Sequence, residues 1–130
     1  MREVLFRGKE VADGKWIEGF YSAEEYNPYS GEVEHIPRIQ IIGKCVSLGV
    51  IPETVGQYTG LTDKNGVRIF EGDIVRYEDD IGYVIYNGDD ARFLVDSPNM
   101  YISMDYSNEF EVIGNIHDNP ELLKGGEENG

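Results

Sequence analysis

Cysteine is nearly missing: Cys45 is the only one in 130 residues. No internal disulfide can form, which excludes a disulfide-stapled secreted scaffold. Histidine is scarce as well. His35 and His117 stand far apart, and with one cysteine they leave no compact zinc-ligand spacing. Basic residues are few, 11 Lys and Arg against 25 Asp and Glu, for a net charge of −14. Such a balance disfavours direct binding to nucleic acid or to an anionic membrane, both of which call for basic surface. Apolar runs are short, as at Ile41-Ile42 and Val50-Ile51, so no segment reads as membrane-spanning. The opening Met1-Arg2-Glu3-Val4-Leu5-Phe6-Arg7 lacks the apolar stretch of a signal peptide, and the expected setting is the cytoplasm.

Helical periodicity is absent too. No window of a dozen residues free of Gly and Pro keeps apolar side chains at i, i+3, i+4 and i+7. What is present is a series of short β-rich runs between Gly, Asn, Asp and Pro clusters, and 40% hydrophobic residues is enough to build a core. The expected strands are Val4–Arg7, Trp16–Ser22, Glu34–Ile42, Cys45–Val50, Ile74–Glu78, Ile81–Tyr86, Arg92–Asp96, Tyr101–Met104 and Glu109–Ile113. Alternation sets Val46, Leu48 and Val50 on one face of their strand. Ile81, Tyr83 and Ile85 oppose Gly82, Val84 and Tyr86, so that strand is apolar on both faces and expected to be central. Pro37 places its strand at an edge or interrupts it. Asp13-Gly14, Asn65-Gly66 and Asn87-Gly88 mark turns, because Gly and Asn tolerate positive φ.

Charge divides the chain. Residues 1–66 carry 7 basic and 10 acidic residues, and residues 67–130 carry 4 and 15. The expected architecture is mainly β with almost no helix, built as two packed small sheets or barrels. An N-terminal β subdomain covers 1–55, a connector 56–70, and an SH3-like barrel 71–117. A short helical turn at Pro120–Lys124 and a frayed tail complete residues 118–130. Trp16, Phe20, Val46, Leu48, Tyr58, Val75, Val84, Phe93 and Val112 are expected to be largely buried.

Catalytic patterns fail in turn. Asp63-Lys64-Asn65-Gly66 opens like a calcium loop, but its glycine comes two positions early and no bidentate Glu follows, so it reads as a turn. Gly43-Lys44 lacks the spacing of a phosphate loop, and no Gly-x-Ser-x-Gly elbow occurs. Cys45 reads as a small core residue. Acidic clusters remain at Glu24-Glu25, Glu78-Asp79-Asp80 and Asp89-Asp90. A metal-dependent hydrolase or nuclease built on Asp79, Asp80, Asp89 and Asp90 would need those carboxylates to converge on one ion. Adjacent carboxylates on turns are ordinarily solvated, and the expectation is no catalytic residue, no metal and no cofactor.

Aromatic residues crowd the acidic half. Tyr77, Tyr83, Tyr86, Tyr101 and Tyr106 lie among Asp79, Asp80, Asp89 and Asp90, and together these nine form the candidate interaction surface. Tyrosines beside acids suit contact with a basic protein partner, whereas a base-stacking platform requires basic surroundings. The charge asymmetry also permits self-association, first half to second half. A second possibility is an acidic nucleic-acid mimic acting on a host DNA-binding protein, if the charges line one face.

Three stretches carry a family resemblance. The opening Leu5-Phe6-Arg7-Gly8-Lys9 with Asp13-Gly14-Lys15-Trp16-Ile17-Glu18-Gly19 is one. The most specific runs from Ile51-Pro52-Glu53-Thr54-Val55-Gly56-Gln57-Tyr58-Thr59-Gly60-Leu61-Thr62 through Asp63-Lys64-Asn65-Gly66 to Ile69-Phe70-Glu71-Gly72-Asp73-Ile74-Val75. The ending Glu111-Val112-Ile113-Gly114-Asn115-Ile116-His117-Asp118-Asn119-Pro120-Glu121-Leu122-Leu123 is the third. Together they resemble the YopX-like proteins of bacterial phages and prophages, over nearly the whole chain; segments 22–45 and 87–108 match poorly. The resemblance implies a β-rich cytoplasmic protein of phage origin in a Gram-positive host. It brings no established activity and no catalytic residues. The central motif also has a structural reading. Its glycines punctuate a connector, Gln57 and Thr59 satisfy backbone groups, and Tyr58 with Leu61 pins it to a core.

Overall fold

A computed structural model describes residues 5–22, 25–27, 32–34, 37–41 and 47–123. The protein is mainly β with almost no helix, and every strand pairing among the described residues is antiparallel. Among the described residues the longest helical element is a six-residue 3-10 turn, Met104–Glu109. The chain divides into two units, residues 1–57 and residues 58–130.

The first unit contains β1 (Phe6–Lys9), β2 (Trp16–Ser22), β3 (Glu25–Asn27), β4 (Glu32–Glu34), β5 (Arg38–Ile41) and β6 (Ser47–Gly49). β1 pairs with β2, β2 with β5 and β5 with β6, while β3 and β4 pair with each other. The strand expected over 34–42 is broken. β4 ends at Glu34 and β5 begins at Arg38, with the Pro37 carbonyl accepting the Val50 N–H at 3.0 Å. Leu5, Ile39 and Val50 are buried. Thr54, at the end of the 3-10 turn Pro52–Thr54, accepts the Lys9 N–H and donates its hydroxyl to the Ile51 carbonyl. Val4, His35, Cys45 and Val46, and the side chains of Glu24 and Glu25, lie outside the described residues.

Two burial expectations change here for one reason. In β2 the face of Ile17 and Gly19 packs toward Ile39, so Trp16, Glu18 and Phe20 take the other face. Phe20 is therefore exposed rather than buried, at 55%. Trp16 is half-buried beneath two cations, with the Arg7 guanidinium 4.7 Å and the Lys9 ammonium 5.6 Å from its ring centroid. Leu48 and Val112 are also half-buried instead of buried.

The stretch 56–70, expected as a connector, runs from the end of the first unit into the second. That stretch holds β7 (Gly56–Thr62) and β8 (Arg68–Phe70). Gly56 and Gln57 pair with β1 inside the first unit, and Tyr58 and Thr62 pair with β8 inside the second. Five further strands form one sheet in the order β12-β11-β10-β9-β13: β9 (Asp73–Tyr77), β10 (Asp80–Asn87), β11 (Arg92–Asp96), β12 (Tyr101–Ser103) and β13 (Glu111–Asn115). β10 is central, as its two apolar faces suggest. Val84, Val95 and Ile102 fall in one row across β10, β11 and β12. With Ile69, Val75, Phe93, Met104 and Phe110 they make the core, on which Tyr77 and Val112 pack. Gly82 lies in β10 where the chains run close; a Cβ there would stand 2.5 Å from the Asp96 carbonyl oxygen and 2.8 Å from Val95 Cγ1. Gly72, at φ +92°, makes the turn into β9 that lets the buried Asp73 carboxylate accept the Phe70 N–H at 2.8 Å. The expected helical turn is short, residues 121–123.

Candidate interaction surface

Strand register decides where the nine candidate residues go. Tyr83, Asp96 and Tyr101 share a row across β10, β11 and β12, on the face opposite the Val84–Val95–Ile102 core row. Tyr86 takes the core-side face, with its ring meeting Phe93 edge-on at 5.3 Å. It sits at the sheet's end and remains 49% exposed.

Asp89 and Asp90 occupy the turn from β10 to β11, where Asn-Gly was expected to supply the positive φ. Ala91 supplies it instead, at 53°. The reason is the Asn87 side chain. Its Oδ1 accepts the Asp89 N–H at 3.0 Å and its Nδ2 donates to Asp90 at 3.3 Å, wrapping a four-residue loop rather than a two-residue turn. Arg92 faces Asp90 at 3.7 Å. Beside this turn runs a groove of about 340 Å³ lined by Ile85, Tyr86, Asn87, Gly88, Asp89 and Tyr101.

Asp79 and Asp80 lie at the other end of β10. With Ile81, Pro98, Asn99, Leu122 and Leu123 they line a separate cleft of about 350 Å³, where Asn99 donates to Asp80 at 3.2 Å. The eight-residue β10 separates the two aspartate pairs by roughly 23 Å at about 3.3 Å per residue. The four carboxylates therefore do not converge. Among the described residues no three His, Cys, Asp or Glu side chains are grouped to hold a metal ion. Two cations stand among the acids of this unit, with Arg76 paired to Glu111 at 3.2 Å and Arg92 beside Asp90 at 3.7 Å.

Tyr77 and Tyr106 make a third location. Their rings lie 5.6 Å apart, and Tyr77 also meets Phe110 of the core edge-on. Burial, followed by the charges of Glu109 and Glu78 and by Tyr106, pushes the Tyr77 hydroxyl above its ordinary value. It stays protonated near neutrality.

The central motif has a different use from the one its glycines suggested. Asp63 is buried and holds three backbone N–H groups, those of Asn65 (2.8 Å) and Val67 (2.9 Å) on Oδ1 and that of Val112 (2.9 Å) on Oδ2. Burial opposes its ionisation, yet the three bonds outweigh burial and keep the carboxyl below its ordinary value. Thr59 is likewise buried, its hydroxyl donating to the Ile69 carbonyl at 2.8 Å. Tyr58 packs on Phe70, whereas Leu61 is exposed and pins nothing. In the ending, Asn115 accepts the N–H groups of His117 and Asp118. Asp63 was readable only as a turn residue; its reach to Val112 crosses 49 residues and leaves no local signal.

No helix among the described residues is long and apolar enough to cross a membrane. A family model described as "YopX protein" matches residues 5–124. No curated protein matches the chain. Among solved structures, the crystal structure of protein EF1440 from Enterococcus faecalis is similar at 26% identity. Its TM-score is 0.55, and the match covers 95% of this chain and 99% of that one.

Proposed function

Because the chain belongs to the YopX protein family, and the match names no activity, we propose from its surface chemistry that it is a non-catalytic interaction module whose second unit docks a basic protein partner. One observation carries this reading: exposed tyrosines (Tyr86, Tyr101 and Tyr106) stand in the same unit as the exposed carboxylates of Asp79, Asp89 and Asp90. Exposed rings supply contact area at low entropic cost, and carboxylates raise encounter rates with a basic surface. The strand order of the five-stranded sheet, with a 3-10 turn before its last strand, supports classing this unit as SH3-like. A single cysteine suits a reducing bacterial cytoplasm, the setting that a phage-borne module would occupy. A second copy is an available partner through the cations of the first unit, although −14 on each copy opposes it.

The test is capture from host lysate followed by kinetics with the purified partner. A basic protein should associate with the native chain at 0.1 M salt and much more slowly at 1 M, where the Debye length falls from about 10 Å to about 3 Å. Asp79→Asn, Asp80→Asn, Asp89→Asn and Asp90→Asn together should slow association at low salt and leave the high-salt rate unchanged. A partner indifferent to both salt and these substitutions overturns the proposal.

A further inference from the structure

We infer that the groove beside the β10–β11 turn is a subsite for a single cationic side chain, lysine or arginine, presented by the partner; this rests on the preceding reading and gives it a point of contact. The groove has three chemically distinct parts. Ile85 supplies an apolar floor, on the same sheet face as Tyr101 by strand register. Tyr101, 67% exposed, supplies an aromatic wall. The turn supplies a carboxylate in Asp89, whose backbone is fixed by the bond from its N–H to the Asn87 side chain. A lysine or arginine has the matching parts in the same order, with an aliphatic stem for the floor and a charged head for the ring face and the carboxylate.

The neighbouring groups leave that carboxylate to a visitor. Asp90 accepts from Asn87 and lies 3.7 Å from Arg92, and this nearest cation in register does not line the groove. Tyr86 borders the groove, but its ring lies across the sheet on Phe93, so Tyr101 is the ring that acts. A volume of about 340 Å³ is small even for a small-molecule site, and it suits one side chain better than a folded element. The cleft at Asp79 and Asp80 differs, because Asn99 occupies Asp80 there and no aromatic side chain lines it.

The probe is N-acetyl-arginine amide, titrated into the isotopically labelled full chain at constant ionic strength and followed by amide chemical shifts. Saturable shifts are expected at Asn87, Gly88, Asp89 and Tyr101, and not at Asp79 or Asp80. Tyr101→Ala and Asp89→Asn should each weaken binding by about two- to fivefold, the range for a cation on an exposed ring or carboxylate. Tyr101→Phe, which keeps the ring, should bind like the native chain. Tyr101 is largely exposed, so its substitution leaves the core intact. Shifts of equal size at both aspartate pairs, insensitivity to Tyr101→Ala, or no saturable shift at all would each overturn the subsite. If the probe fails while a basic partner still binds in a salt-dependent way, the subsite falls and the acidic surface stands; if both fail, so does the wider reading.

Discussion

At the scale of single residues the most consequential side chain is Asp63. It serves a turn and a distant strand at once, and no neutral residue can hold three backbone donors so closely. Asp63→Ala would strand those donors in a buried setting, at a cost of about 1.5–3 kcal/mol, read as a lowered urea midpoint with an unchanged slope. The pH dependence has a definite sign. A carboxyl whose folded pKa lies below its ordinary 3.8 gives its full stabilisation above that value and loses it as pH falls through the folded pKa. Acid unfolding of the native chain should therefore be steeper below pH 3.8 than that of Asp63→Asn, with circular dichroism following both. Phe20 shows the limit of reading residues singly. Its hydrophobicity argued for burial, but face is decided by pairing partners, and β2 turns Gly19 rather than Phe20 toward Ile39.

At the scale of elements, strands with β-branched or aromatic runs between clear turns were legible to the residue, as at Trp16–Ser22 and Arg92–Asp96. β7 was not, because Gly56 and Gly60 bracket Gln57, Tyr58 and Thr59 and read as connector punctuation; its pairing is supplied by strands elsewhere in the chain. The candidate surface was legible only as a composition. Sequence brought nine residues into one list, and register separated them into a groove, a cleft, a tyrosine pair and a mid-sheet row. Asn87 was readable only as a turn residue and Ile85 only as a strand residue, because their place beside the groove depends on Tyr101 from another strand. Gly82 is the element-level test of this sheet. Gly82→Ala should force β10 from β11 and cost about 1–3 kcal/mol, whereas Gly88→Ala, with open space around it, should cost less; thermal unfolding of the two variants would show the contrast.

At the scale of the whole molecule, charge is the dominant property. A net −14 repels itself in the folded state, and most of it belongs to the second half of the chain. Raising sodium chloride from 0.01 M to about 0.15 M should therefore increase the melting temperature, as the Debye length shortens from about 30 Å to about 8 Å. The variant with all four aspartates replaced by Asn should melt no lower than the native chain and should respond less to salt. A fall in its melting temperature would mean that these carboxylates support the fold instead of facing solvent.

The bond from Val112 to Asp63 also orders events in time. The hairpins β9–β10 and β10–β11 close over a few residues and can form early, but the Asp63 carboxylate waits for a strand 49 residues away. The loop-closure entropy, about (3/2)RT ln n, must be met before so distant a contact rewards it, which places this bond late. The Val112 amide proton thus becomes a clock for the last step of folding. In pulse-labelled hydrogen exchange it should gain protection after those of Val84 and Val95, and in Asp63→Ala it should never gain the full measure.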